Sequence, residues 1–114
     1  MHNVTETTQL NMREAAAKTV GILKTLANED RLLLLCHLSQ SEASVSELET
    51  ALSIKQPTLS QQLGVLRRQN LVVTRRDGKQ IFYQVAAPDV LVLLRTLYEL
   101  YCPAEQTEEV RYAD

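Results

Sequence analysis

Apolar positions along the chain repeat with two different periods, and the switch between them divides it. From about Gln9 to Leu26, Ala16, Val20 and Leu23, with Ala27 just beyond, recur at the spacing of one helix face. Asn28 then offers a side-chain oxygen to cap a new helix. Glu29 and Asp30 fall in its first turn, where the helix dipole favours acids. The run "RLLLLCHL" carries leucine on several sides, which predicts a buried helix. "SEAS" reads as a loop. Ser44 and Glu47 have the spacing of a capping box and open a short helix, "SELETAL", with Leu48 and Leu52 facing inward. "SIKQP" reads as a turn, and Pro57 fits the first position of the helix that follows. That helix places Leu59, Leu63 and Leu66 on one stripe and ends near Asn70, a residue suited to a left-handed backbone.

After Asn70 the period falls to two. "LVVTRR" and "QIFYQV" are rich in β-branched and aromatic residues, and Asp77-Gly78 between them is a strong hairpin signal. A last helix is predicted from near Pro88 to about Tyr101. Its apolar residues Val90, Leu91, Leu94, Leu97, Tyr98 and Tyr101 cover more than one narrow stripe. The expected order is four helices, a hairpin and a fifth helix, a mostly α chain with a small β-hairpin. The two short helices make a helix-turn-helix and the hairpin after them a wing.

With 114 residues and no repeat or internal linker, one domain spanning 1–114 is expected. Residues 1–8 are polar and expected to fray, and 103–114 form a C-terminal tail. Hydrophobic residues make up 45% and charged residues 23%, the balance of a soluble globular protein. No apolar run approaches the ~20 residues of a membrane span, so no membrane partner is expected. The first residues lack a basic stretch followed by an apolar core, so a cytoplasmic location is expected by default.

The net charge of −2 argues against a polyanionic partner until its distribution is examined. Between Lys55 and Lys79 lie six basic residues and one acid, Asp77, for a local +5; the remaining residues hold 6 basic and 13 acidic groups, or −7. One cationic face on an acidic protein is enough to meet phosphates.

The third short stripe identifies what that face flanks. Opposite Leu59, Leu63 and Leu66, the helix turns out Ser60 and Gln61, with Thr58 at its exposed start and Gln56 and Gln62 on the flanks. Glutamine can bond two atoms of an adenine edge, and short hydroxyl residues let a helix sink into the major groove. Arg67 and Arg68 at the far end suit phosphates. Arg75, Arg76 and Lys79 surround the wing, where a hairpin reaches backbone or minor groove. Double-stranded DNA is therefore the expected partner; a helix-turn-helix module used for protein contacts is the alternative. No phosphate loop, metal set or nucleophile with a placed base is present, so neither an enzyme nor a cofactor is expected. Tyr83, Tyr98 and Tyr101 suit packing better than chemistry.

"LANEDRLLLLCHL", "SVSELETAL", "LSQQLGVLRRQNLV" and "RRDGKQIFYQV" together resemble the ArsR-type winged-helix repressors over residues 16–102, nearly the whole chain. The resemblance implies a homodimer formed through the first and last helices that binds an inverted-repeat operator and leaves it on a chemical signal. Lys55 and Pro57 depart from the Ser-type residues usual at the start of the recognition helix.

Many members of that family sense metals through Cys-x-Cys in the third helix. Here Ser44 and Ser46 stand at those places, and serine is a poor ligand for soft metals. The chain has only two histidines, His2 and His37; two cysteines and His37 make at most a marginal set against the four ligands of a tetrahedral site, and His37, next to Cys36, points elsewhere on its helix, so no metal site is expected. A metal-responsive repressor stays as an alternative. Cys36 and Cys102 remain. Read as residues, they are either a small core side chain and an incidental one, or a reactive pair. Their places in "LLLLCHL" and "LYELYCP" are similar to those of the sulfide and persulfide sensors of the BigR and SqrR kind, with HlyU a relative. That likeness implies that inorganic or organic persulfides link the two thiols by a disulfide or polysulfide, and that the link releases DNA.

Overall fold

Leu34, Leu35, Leu48, Leu59, Leu63, Leu66 and Leu94 are shut off from solvent, and the elements carrying them build the core. The computed structural model describes residues 2–101, with side chains from Leu10 onward. The order is α1 (His2–Leu26), α2 (Glu29–Leu38), β1 (Ala43–Ser44), α3 (Val45–Leu52), α4 (Thr58–Arg68), β2 (Val72–Asp77), β3 (Gln80–Val85) and α5 (Pro88–Tyr101). It is the winged helix-turn-helix expected, with one strand more.

Helix α2 contacts α1, α3, α4, α5 and β3. That central position explains leucine on so many sides of ten residues. Its start is held by Asn28, whose side chain accepts the Arg31 N–H at 3.0 Å. Both halves of the capping box at α3 are formed: the Ser44 hydroxyl accepts the Glu47 N–H at 3.2 Å, and Glu47 accepts the Ser44 N–H at 2.8 Å. The end of α4 is closed by Asn70 at φ 61°. The Leu71 N–H reaches back to the Leu66 carbonyl at 3.0 Å, a bond that ties up an orphan carbonyl of the last turn.

Four local expectations are corrected. Helix α1 begins at His2, not near Gln9, so the polar segment expected to fray continues the helix; no glycine or proline stands before Gly21 to stop it. "SEAS" is not all loop. Ala43 and Ser44 form β1, pairing antiparallel with Tyr83 and Phe82 in a sheet of order β1-β3-β2. Two residues carry no periodicity, so only the tertiary pairing reveals this strand. The hairpin turn is displaced by one residue: Asp77 pairs with Gln80, and Gly78-Lys79 form the two-residue loop. Gly78 takes φ 66° at the first central position, where an L side chain would be strained. Finally, Pro57 precedes the first helical residue, Thr58, instead of occupying that place.

Among the described side chains, helix α1 enters the core through its last turns, by Leu26 and partly buried Ile22. The stripe read from the sequence, Ala16, Val20, Leu23 and Ala27, faces solvent. On α5, Val90 and Leu94 are buried, while Val92, Leu100 and Tyr101 are 63–78% exposed. No helix among the described residues is long and apolar enough to cross a membrane.

Candidate nucleic-acid interface

The start of α4 lacks a conventional cap because proline has no capping side chain. Neighbouring groups take its place. The Ser60 N–H donates to Gln56 Oε1 at 3.1 Å, the Leu59 N–H to the Lys55 carbonyl and the Gln61 N–H to the Pro57 carbonyl, each at 3.0 Å. Gln56, read from the sequence as a flanking base contact, thus also closes the first turn. The rest of α4 divides cleanly. Leu59, Leu63 and Leu66 are 0–2% exposed, and each such leucine contributes about 1.5–3 kcal/mol by burial. Ser60 and Gln61 are exposed on the far side and Thr58 is half-buried at the N-terminal end. Arg67 and Arg68 are exposed in the last turn, where the dipole favours cations.

Gln62 has a different surrounding. It is half-buried, and its Oε1 accepts a hydrogen bond from Arg31 Nη1 at 3.0 Å. Arg31 Nε donates to the Thr25 carbonyl at 2.7 Å. One guanidinium therefore joins the end of α1 to the middle of α4.

The wing also separates its cations. Arg76 and Lys79 are exposed. Arg75 is not at the tip in a free state. Its Nε donates to both Glu42 carboxylate oxygens, at 2.9 and 3.0 Å, and its Nη2 donates to Oε1. The guanidinium lies 4.6 Å from the centre of the Phe82 ring, and Nη1 is 3.8 Å from Asp77 Oδ2. The hydrogen bonds from Arg75 hold the Glu42 carboxyl below its usual range, and Glu42 in turn raises the Arg75 pKa. Glu42 and Phe82 were not among the residues singled out from the sequence. Their only signal was an acid three residues from the capping serine's helix and an aromatic in the second strand, neither of which announces a contact.

Cys36 is 7% exposed on α2. The Ser39 hydroxyl donates to its carbonyl at 2.6 Å, and Arg95 Nε of α5 donates to the Ser39 carbonyl at 3.3 Å. This places a cation of α5 at the end of the helix bearing Cys36. Cys102 and the tail 103–114 lie outside the described residues. Ser44 and Ser46, at the places of metal-binding thiols, face each other with hydroxyls 3.2 Å apart, and Ser44 is engaged as the α3 cap. Among the described residues no three His, Cys, Asp or Glu side chains gather as a metal would require.

Comparison with known proteins meets the same elements. Residues 28–74, from the α2 cap into β2, match the family described as bacterial regulatory protein, arsR family. The biofilm growth-associated repressor of Agrobacterium fabrum is 50% identical over 95 residues, 83% of this chain and 81% of that protein. The crystal structure of the transcriptional repressor BigR from Xylella fastidiosa superposes with a TM-score of 0.77 at 46% identity, covering 82% of this chain and 93% of that one. Reduced HlyU from Vibrio cholerae, a protein named a transcriptional activator, gives a TM-score of 0.77 at 42% identity, covering 82% and 98%. These relatives are transcriptional regulators and not enzymes.

Proposed function

The chain belongs to the arsR family of bacterial regulatory proteins, and from that premise we propose that it is a homodimeric repressor whose operator is released when Cys36 and Cys102 become linked. The observation that carries the DNA-binding part is the division of α4. A helix sealed on one side by three leucines presents Ser60 and Gln61 outward, with Thr58 half-buried at its start and Arg67 and Arg68 exposed beyond them. Such a face is short, polar and uncharged at its centre, as base-edge contact in the major groove requires. Arg67, Arg68, Arg76 and Lys79 neutralise phosphates around it. The exposed apolar residues of α1 and α5 supply the dimer interface. Two copies then place two α4 helices about one DNA turn, ~34 Å, apart on an inverted repeat. Repression, not activation, follows the relatives named as repressors, one of them 50% identical.

The sensing step uses the two thiols. One cysteine thiolate takes the outer sulfur of a persulfide, R–S–SH, and RSH leaves. The second cysteine attacks the carbon-bound sulfur of the resulting Cys–S–SH, forming Cys–S–S–Cys and expelling sulfide. When a second persulfide first passes its outer sulfur to Cys–S–SH, with RSH leaving, the product is Cys–S–S–SH; attack of the other thiolate on its middle sulfur then gives Cys–S–S–S–Cys and expels sulfide. A link between α2 and the end of α5 strains one dimer geometry, and a coupling of about 3 kcal/mol lowers operator occupancy over a hundredfold.

Gel shifts with reduced and persulfide-treated protein test this, alongside intact-mass measurement. Treated wild type is expected to gain the mass of a link and to lose DNA; Cys36→Ser and Cys102→Ser are expected to keep DNA after treatment. Release from both variants would rule out the thiol switch while leaving DNA binding intact.

A further inference from the structure

Arg75 sits on an exposed hairpin in a basic segment, which makes it a natural candidate for a phosphate contact. Its surroundings argue otherwise. Sheet register puts Ser44, Phe82 and Arg75 in one row across β1, β3 and β2. From β2 the guanidinium passes over the Phe82 ring and reaches Glu42, immediately before β1. Nε and Nη2 are committed to Glu42, and Nη1 faces Asp77. Two carboxylates around one guanidinium leave the cluster with a net charge of −1, which repels a phosphate. The far end of the contact is structural: Glu42 lies two residues before Ser44, the cap of α3, and α3 is the first helix of the helix-turn-helix, leading through residues 53–57 into α4.

We infer that Arg75 is a positioning residue that ties the wing to the start of α3, while Arg76 and Lys79 make the wing's phosphate contacts. The inference rests on the DNA-binding reading above. A bidentate pair with an aromatic stacked beneath it is the geometry in which an exposed ion pair has a measurable effect. Losing it lets the wing swing relative to α4, so both cannot meet the duplex at once without an ordering cost.

Salt dependence separates the two roles, because each phosphate neutralised adds about 0.9 to the slope of log K against log salt. The probe is a duplex selected by the wild-type protein from a random-sequence pool. Arg75→Gln and Glu42→Gln are each expected to weaken binding about fivefold, the scale of one good ion pair, with the slope unchanged. The double variant is expected to be no weaker than either single one, since both remove the same contact. Arg76→Gln and Lys79→Gln are expected to lower the slope by about 0.9 each. A drop in slope for Arg75→Gln, or tighter binding by Glu42→Gln, would show that Arg75 serves phosphate and Glu42 competes for it. Unaltered affinity in both would equally remove the positioning role. Failure of the wild type to select any duplex would instead overturn the DNA reading, and this inference with it.

Discussion

Ser44 holds the start of α3 in both directions, accepting from Glu47 with its hydroxyl and donating to the Glu47 carboxylate with its N–H. Ser44→Ala leaves a buried end unsatisfied and is expected to cost about 1 kcal/mol, read as a lower urea midpoint. Glu42 sets an acid limit on the wing. Its folded pKa lies below the ordinary value, so the contact contributes fully above the ordinary carboxylate range and is lost as pH falls through the lowered value. An NMR titration of the Glu42 carboxyl is expected to show this depressed midpoint in the wild type, and its return to the ordinary range in Arg75→Gln. Caps were legible in the sequence because they act over three or four residues: Asn28, Ser44 and Asn70 each do what their type and spacing foretold. Gln62 and Arg75 were not, since their partners lie 31 and 33 positions away.

Helix α4 is set by three leucines on one side and by the Arg31–Gln62 bond on its flank. Gln61 and Gln62 are adjacent in sequence, yet their surroundings assign them different tasks. Gln61→Ala is expected to relax base preference at one operator position, by about 1–3 kcal/mol of discrimination. Gln62→Leu removes a partner from a half-buried guanidinium and is expected to cost about 1–3 kcal/mol of folding stability. It should weaken DNA binding evenly across sequences. Selection from a random pool, with denaturant unfolding beside it, distinguishes the two patterns. The existence and type of every helix could be read from periodicity, and on α4 the leucine spacing also reports which face is inward, whereas the stripe of α1 faces solvent. Strand β1 could not, because a two-residue strand exists only by pairing with β3.

The exposed apolar residues of α1 and α5 concern the whole assembly. Leu23 is 50% exposed and Val92 65%, apolar surface that the proposed dimer would cover. If the proposed dimer forms through these helices, Leu23→Glu combined with Val92→Glu is expected to give monomers in sedimentation experiments where the wild type gives dimers, without unfolding the core, because neither side chain belongs to it. Affinity for a two-half-site duplex should then fall more than a hundredfold, since each half-site is bound independently. The charge balance belongs to this scale as well. The excess of acids outside 55–79 leaves one cationic side, and the pairing of Arg75 shifts that side toward Arg67, Arg68, Arg76 and Lys79.

The order of helices, the leucine stripe of α4, the three caps and the segregation of positive charge were determined by the sequence alone. Each depends on neighbours a turn or two away, or on simple counting. Tertiary structure decided the third strand, the one-residue shift of the wing turn, the engagement of Gln62 by Arg31 and the capture of Arg75 by Glu42. Those depend on which distant side chains the packed core brings within hydrogen-bonding distance, and a guanidinium that could serve a phosphate in an extended chain is committed elsewhere once the sheet aligns it with a carboxylate.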